Sequence, residues 1–176
     1  DYFDAARRGR TKLYVPATVV PLLHRRVGDY PNVLAEGGAN FWDAFQLVVV
    51  SDAFWHAGWR FEVFPVRHHW PDTAFGLRLH GSVVWTGDTR PIPEMLAKFA
   101  DAGELIAHDC ALHGNPSHSG IDDLEREYPP GLLARCVLYH YASLADAEAM
   151  RTRGHRVAAP GERLALAEPL PPPGQG

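Results

Sequence analysis

Val83-Val84-Trp85-Thr86-Gly87-Asp88-Thr89-Arg90-Pro91 divides into two parts of opposite character. The first four residues are β-branched or aromatic, the composition of a strand. Gly87-Asp88-Thr89 then leaves the sheet, because Gly tolerates positive φ and Asp bonds to backbone two residues on. On its own the triplet is only a turn. If the strand delivers a carboxylate at its end, Asp88 is a rigidly placed, metal-competent side chain.

Two other segments share that geometry: Val66-Arg67-His68-His69 upstream and Leu138-Tyr139-His140-Tyr141 downstream. A lone histidine after a strand most often bonds to loop backbone. Three strand ends carrying Asp and His and converging on one place would make a site for zinc, manganese or iron.

The surrounding pattern is mixed. Lys12–Val15 reads as a strand closed by Pro16, with a helix over Thr18–Arg26 and a short helical candidate over Asn40–Phe45. Gln46–Ser51 and Arg60–Val66 read as strands, the second with Phe61, Val63 and Pro65 on the face opposite Glu62 and Phe64. Phe75–Leu79 and Ser82–Thr86 form a strand pair about His80-Gly81. Pro91 and Pro93 suit the first turn of a helix whose buried stripe is Met95, Leu96 and Phe99. Then follow a strand over Glu104–Ala107, a helix over Ile121–Tyr128, a strand over Arg135–Tyr139, a helix over Leu144–Arg153, and short strands at Val157 and Leu164. This alternation predicts an α/β class with helices covering a sheet. The domain is expected to span 1–167, leaving Glu168–Gly176 (EPLPPPGQG) as a disordered Pro/Gly-rich tail.

The chain has 176 residues, 46% hydrophobic and 22% charged, enough for one core. A net charge of -4 gives no global attraction for nucleic acid. There is no run of about 18–20 apolar residues to cross a bilayer, so the expectation is a soluble, cytoplasmic protein with no membrane partner. Cys110 and Cys136 lack zinc-knuckle spacing and are expected to be buried structural residues in a reducing compartment.

In order and spacing, FEVFPVRHHWPDTAFGLRL (61–79), VVWTGDTRP (83–91), ELIAHDCALHGNPSHSG (104–120) and VLYHY (137–141) resemble the later motifs of metallo-β-lactamase-fold phosphodiesterases. Ribonuclease Z and the cyclic phosphodiesterase of phosphonate breakdown are the branch resembled, over roughly Tyr14 to Leu166. The resemblance implies an αββα sandwich. It also implies that His68 completes a first metal site, that Asp88 bridges two metals, and that His140 serves the second; His69 is the alternative to His68. The cofactor implied is zinc, two ions per complete site, with manganese the other candidate. His118 would aid the departing oxygen, its other reading being a helix cap near Ile121. Asp109 would orient His118 or a metal-bound histidine, or would only anchor its loop.

The resembled enzymes also carry an H-x-H-x-D-H motif, and this sequence contains no H-x-H. Of seven side chains in a complete site it offers three. The non-Met start at Asp1 predicts a chain lacking the N-terminal part of the fold, whose missing segment completes the site; a naturally degenerate variant is the competing reading. The activity implied is attack of a metal-bound hydroxide on a phosphodiester, either a small molecule or RNA. The absence of a basic arm favours the small molecule. Alternatives are a thioester, lactone or β-lactam hydrolase on the same fold, or a non-catalytic module, and a homodimer is one expected assembly. Trp70, Phe75, Phe41 and Trp42 are either core or a stacking wall for a flat group, and Arg90 is a candidate phosphate contact.

Overall fold

The computed structural model describes residues 9–28 and 41–171; Asn40 and residues 172–176 of the expected tail lie outside them. The chain divides into two units, Asp1–Phe54 and Trp55–Gly176.

In the first unit β1 (Thr11–Pro16) and β2 (Phe45–Val50) pair in parallel, Thr11 opposite Phe45 and Pro16 opposite Val50. Parallel neighbours need a crossover. It contains α1 (Val20–Val27) and α2 (Phe41–Ala44). Val15 and Val50 are buried, and Tyr14 stacks on Phe54 with centroids 4.1 Å apart.

The second unit holds a mixed sheet in the order β3 (Ala53–His56), β4 (Trp59–Pro65), β5 (Phe75–Leu79), β6 (Val83–Trp85), β7 (Leu105–Asp109), β8 (Cys136–Tyr139). The unit boundary falls within β3. β4 and β6 are each antiparallel to β5, so they run the same way as each other, and β7 and β8 are parallel to β6. The carboxyl ends of β4, β6, β7 and β8 therefore lie along one edge of the sheet. Those strands end at Asp109 or run into the loops that carry His68, Asp88 and His140.

One sheet face is packed by α3 (Pro93–Phe99), α4 (Ile121–Glu127) and α6 (Leu144–Thr152). Phe64, Val84, Ile106 and Leu138 from the strands meet Leu96, Ile121, Leu124 and Met150 from the helices, all essentially without solvent exposure. On β4 this corrects the sequence reading, which grouped Phe61, Val63 and Pro65: Phe64 is the fully buried residue. Its ring lies over Gly76, where an added Cβ would come within 2.4 Å of it, so only glycine fits there. Proline at the last position of β4 costs no interior ladder bond. The sequence reading also missed β3 and α5 (Pro130–Leu133). Val157 makes an isolated bridge to Leu138, whereas Leu164 joins no strand. In the C-terminal segment the Leu170 N–H donates to His80 O (2.9 Å) and Ser82 Oγ donates to Ala167 O (2.7 Å).

A charged group lies under the β5–β6 turn. Arg78 Nε donates to both oxygens of Glu104 (3.0 and 3.1 Å), Arg78 Nη1 to Glu62 (2.9 Å), and Arg78 Nη2 also pairs with Asp101. The Gly81 and Asp101 N–H groups complete Glu104. Arg78 and Glu104 are 6% and 2% exposed, and Arg78 supplies the counter-charge that the buried Glu104 needs.

His108 on β7 points into the core. Its Nδ1 donates to Asp109 O (2.7 Å), which leaves Nε2 to accept from Tyr128 Oη (2.6 Å), and Tyr128 Oη in turn accepts from Ile92 N. Burial lowers His108 to about 4, despite the opposing pull of Asp109. Between an unfolded value of about 6.5 and that folded value, the unfolded chain binds a proton that the folded chain refuses. Stability is therefore full above about pH 6.5 and falls as the pH drops toward 4, by on the order of 3 kcal/mol. Urea midpoints from pH 7 to 4 should show this slope, and His108→Gln should flatten it; an unchanged slope in the variant would assign it to other groups.

Among the described residues no helix is long and apolar enough to cross a membrane. Cys110 and Cys136 are free and buried, and burial pushes the Cys136 thiol up to about 12 and that of Cys110 further.

Candidate metal centre

Asp109, the last residue of β7, is fully buried. Its Oδ2 accepts from His118 Nδ1 (2.8 Å) and Thr89 N (2.8 Å), and its Oδ1 from His140 Nδ1 (3.1 Å). One carboxylate thus fixes two imidazoles in the same tautomer and leaves Nε2 of each for other work. Asp88, Asp109, His118 and His140 each offer a ligand atom within 4.8 Å of the others. His68 joins through Asp88, with Nε2 to Oδ2 4.0 Å; its Nδ1 is held by Ser117 O at 3.0 Å. The His118 ring lies between His68 and His140, with centroids 4.8 and 4.7 Å away.

The five residues singled out in the sequence are therefore neighbours, and their burial separates their roles. Asp109 already accepts three hydrogen bonds, two of them from His118 and His140. Asp88, about half exposed, and His68 and His140, each with Nδ1 engaged and Nε2 unclaimed, form a nitrogen and oxygen donor set that fits a divalent ion such as zinc or manganese. His69 lies tilted against His68, ring centroids 3.8 Å apart, and its Nδ1 stands 3.5 Å from Ser117 Oγ, at the margin of the group.

Thr89 is the residue the sequence reading undervalued. It is fully buried and joins three loops. Its N–H donates to Asp109, its Oγ1 accepts from Arg67 N (3.0 Å), and its carbonyl accepts from Ser119 N and Oγ. Tyr139 Oη adds a bond to Gly87 O (2.8 Å), which ties the Asp88 loop to the end of β8. Gly87 itself sits at φ 64°. The only sequence signal for these contacts was the density of Thr and Ser beside the ligand positions.

Arg90 does not face the donor group as a free cation. Its Nη1 donates to Asn115 O, His118 O and Asp123 Oδ2. Burial works to raise the Asp123 carboxyl, but bonds from Arg126, Gly120 N–H and Arg90 outweigh it and bring it to about 2. Arg90 thus clamps the His118 loop to the start of α4. The aromatic residues read as core or stacking wall fall in both units. Trp42 bonds to His24 and packs against Phe41 within the first unit; Trp70, next to His69, is 78% exposed.

Backbone strain marks the same loops. His69, Asp72 and His140 have φ of 55°, 58° and 74°, a region disfavoured for any residue with a Cβ.

Residues 1–163 match the sequence model of the family described as "Anti-Pycsar protein Apyc1". No curated protein matches the chain. Among solved structures, a new diphosphatase from the PhnP family is similar, with a TM-score of 0.65 and 17% identity over 91% of this chain and 60% of that one. So is the metallo-β-lactamase fold protein YhfI from Bacillus subtilis, with a TM-score of 0.56 and 10% identity over 89% of this chain and 65% of that one. The chain has the metallo-β-lactamase fold, and it spans somewhat under two thirds of the length of these structures.

Proposed function

The chain belongs to the anti-Pycsar protein Apyc1 family, and from that membership and the site geometry we propose that it is a metal-dependent phosphodiesterase acting on a cyclic nucleotide. The observation that carries the reading is the hold of one buried carboxylate, Asp109, on both His118 and His140 beside Asp88. A metal ligand and a proton donor are thereby locked in register.

His68, Asp88 and His140 would hold the metal. Bound there, a divalent ion supplies Lewis-acid charge for the phosphoryl oxygens and for the attacking water. Three donors are fewer than a two-metal centre needs, so the proposal assigns the remaining donors to protein beyond these 176 residues.

In the reaction water adds to phosphorus, one P–O bond breaks, and the departing oxygen takes a proton. His118 supplies it from Nε2 while its Nδ1 proton stays with Asp109 Oδ2. Arg90 keeps the loop from rotating the imidazole away, because it holds the carbonyl of His118 itself.

Protein extended by the flanking coding sequence and loaded with zinc or manganese is expected to bind metal stoichiometrically and to open a cyclic nucleotide to its monoester. Chelation should abolish both. Metal-loaded protein that leaves cyclic nucleotides intact but cleaves a thioester or lactone would overturn the phosphodiesterase reading and keep the fold.

A further inference from the structure

Beside the metal-ligand candidates lies a pocket of about 370 Å³ whose lining includes His68, His69, Trp70, Pro71, Met95 and Pro116. Trp70 is the most exposed large apolar side chain described, at 78%, and its ring has no aromatic partner among the described residues. Exposure of a single apolar side chain is ordinary; what singles out Trp70 is that its exposed indole lines the pocket that also contains the metal-ligand candidate His68.

The loop carrying Trp70 is fastened at several points. Val66 N–H closes its base on Ala74 O (3.1 Å), and Thr73 Oγ1 donates to Trp70 O (2.6 Å). Arg67 is bonded through N–H to Thr89 Oγ1 and through Nη1 to Pro91 O. Left-handed residues, His69 and Asp72, flank the tryptophan. The indole is thus projected on a stiff arm, two residues from His68.

We infer that Trp70 and this pocket form the subsite for the planar heterocycle of the substrate, with the indole stacking on a nucleobase whose phosphate lies at His68 and Asp88. The inference rests on the phosphodiesterase reading for the position of the phosphate, and on Trp70 alone for the stack. A heterocycle covers the indole without demanding hydrogen bonds from it, so the subsite accepts purines and pyrimidines alike.

The test is binding of adenosine 5′-monophosphate, cytidine 5′-monophosphate and ribose 5-phosphate to the protein and to Trp70→Ala and Trp70→Phe, by calorimetry and tryptophan fluorescence. Both nucleotides should bind more tightly than ribose 5-phosphate and quench the fluorescence. Trp70→Ala should weaken them about 5- to 150-fold, with Trp70→Phe recovering most of the loss and ribose 5-phosphate unaffected. The inference fails if Trp70→Ala binds nucleotides as well as the parent does, if the base adds nothing to affinity, or if the variant changes only the oligomeric state. Hydrolysis of glycerol 1,2-cyclic phosphate, which has no base, is measured in parallel on the metal-loaded protein extended by its flanking coding sequence, the same protein used as parent for the binding series. Turnover of that ester without a Trp70-dependent nucleotide effect sinks the subsite and keeps the hydrolytic reading; a Trp70-dependent nucleotide effect without turnover of any phosphodiester does the reverse.

Discussion

Asp109→Asn in the metal-loaded protein is expected to lower turnover about 10²- to 10⁴-fold or metal affinity about 10- to 100-fold, with the fold retained. An asparagine offers one acceptor oxygen and one NH₂ where the carboxylate offers two acceptors. Whichever way the amide is turned, one of His118 and His140 meets a donor at Nδ1 and must shift its proton to Nε2. If that ring is His140, its Nε2 no longer has a lone pair for a metal. If it is His118, the ring is held by its lone pair and the positive form needed for proton donation loses its counter-charge. Metal content and kcat measured on one preparation tell the two apart, and a variant normal in both would remove Asp109 from the mechanism.

The second large effect is on stability. Arg78→Met leaves Glu104 buried with only the Gly81 and Asp101 N–H groups to offset its charge. Stranding a buried ion costs about 3–5 kcal/mol. For a domain of this size that lowers the melting midpoint by roughly 10 °C. Adding Glu104→Gln removes the stranded charge, so the double variant should melt above Arg78→Met. A double variant no better than the single would mean that the guanidinium acts by filling space and not by charge.

The strand ends were legible because their signal is local. Val83–Trp85 followed by Gly-Asp-Thr, and Cys136–Tyr139 followed by His, show β-rich runs ending in a metal-competent residue, and neighbouring parallel strands bring such ends together. The helix over Pro93–Phe99 was legible from its prolines and apolar stripe. Contacts made by backbone were hidden. Nothing in Thr89 or Ser119 as letters says that one carbonyl accepts from the other's N–H and hydroxyl. The partners of Arg90 were hidden for the same reason: Asn115 O and His118 O are main-chain atoms that only the folded loop presents. Phe64 was placed on the wrong face because Phe61, Val63 and Pro65 are apolar too, so alternation could not choose between the two sides. Three candidate donors, His68, Asp88 and His140, were readable, and the sequence contains no H-x-H.

His140 is held at φ 74°, and left-handed backbone costs a residue with a Cβ about 1 kcal/mol that glycine does not incur. Glycine there would relieve that strain but would also take the Nδ1 donor away from the buried Asp109, and an unmet buried acceptor costs about 1–3 kcal/mol. The left-handed turn is therefore held in place by the carboxylate beneath it, and relaxing the backbone at position 140 should bring no gain in heat resistance.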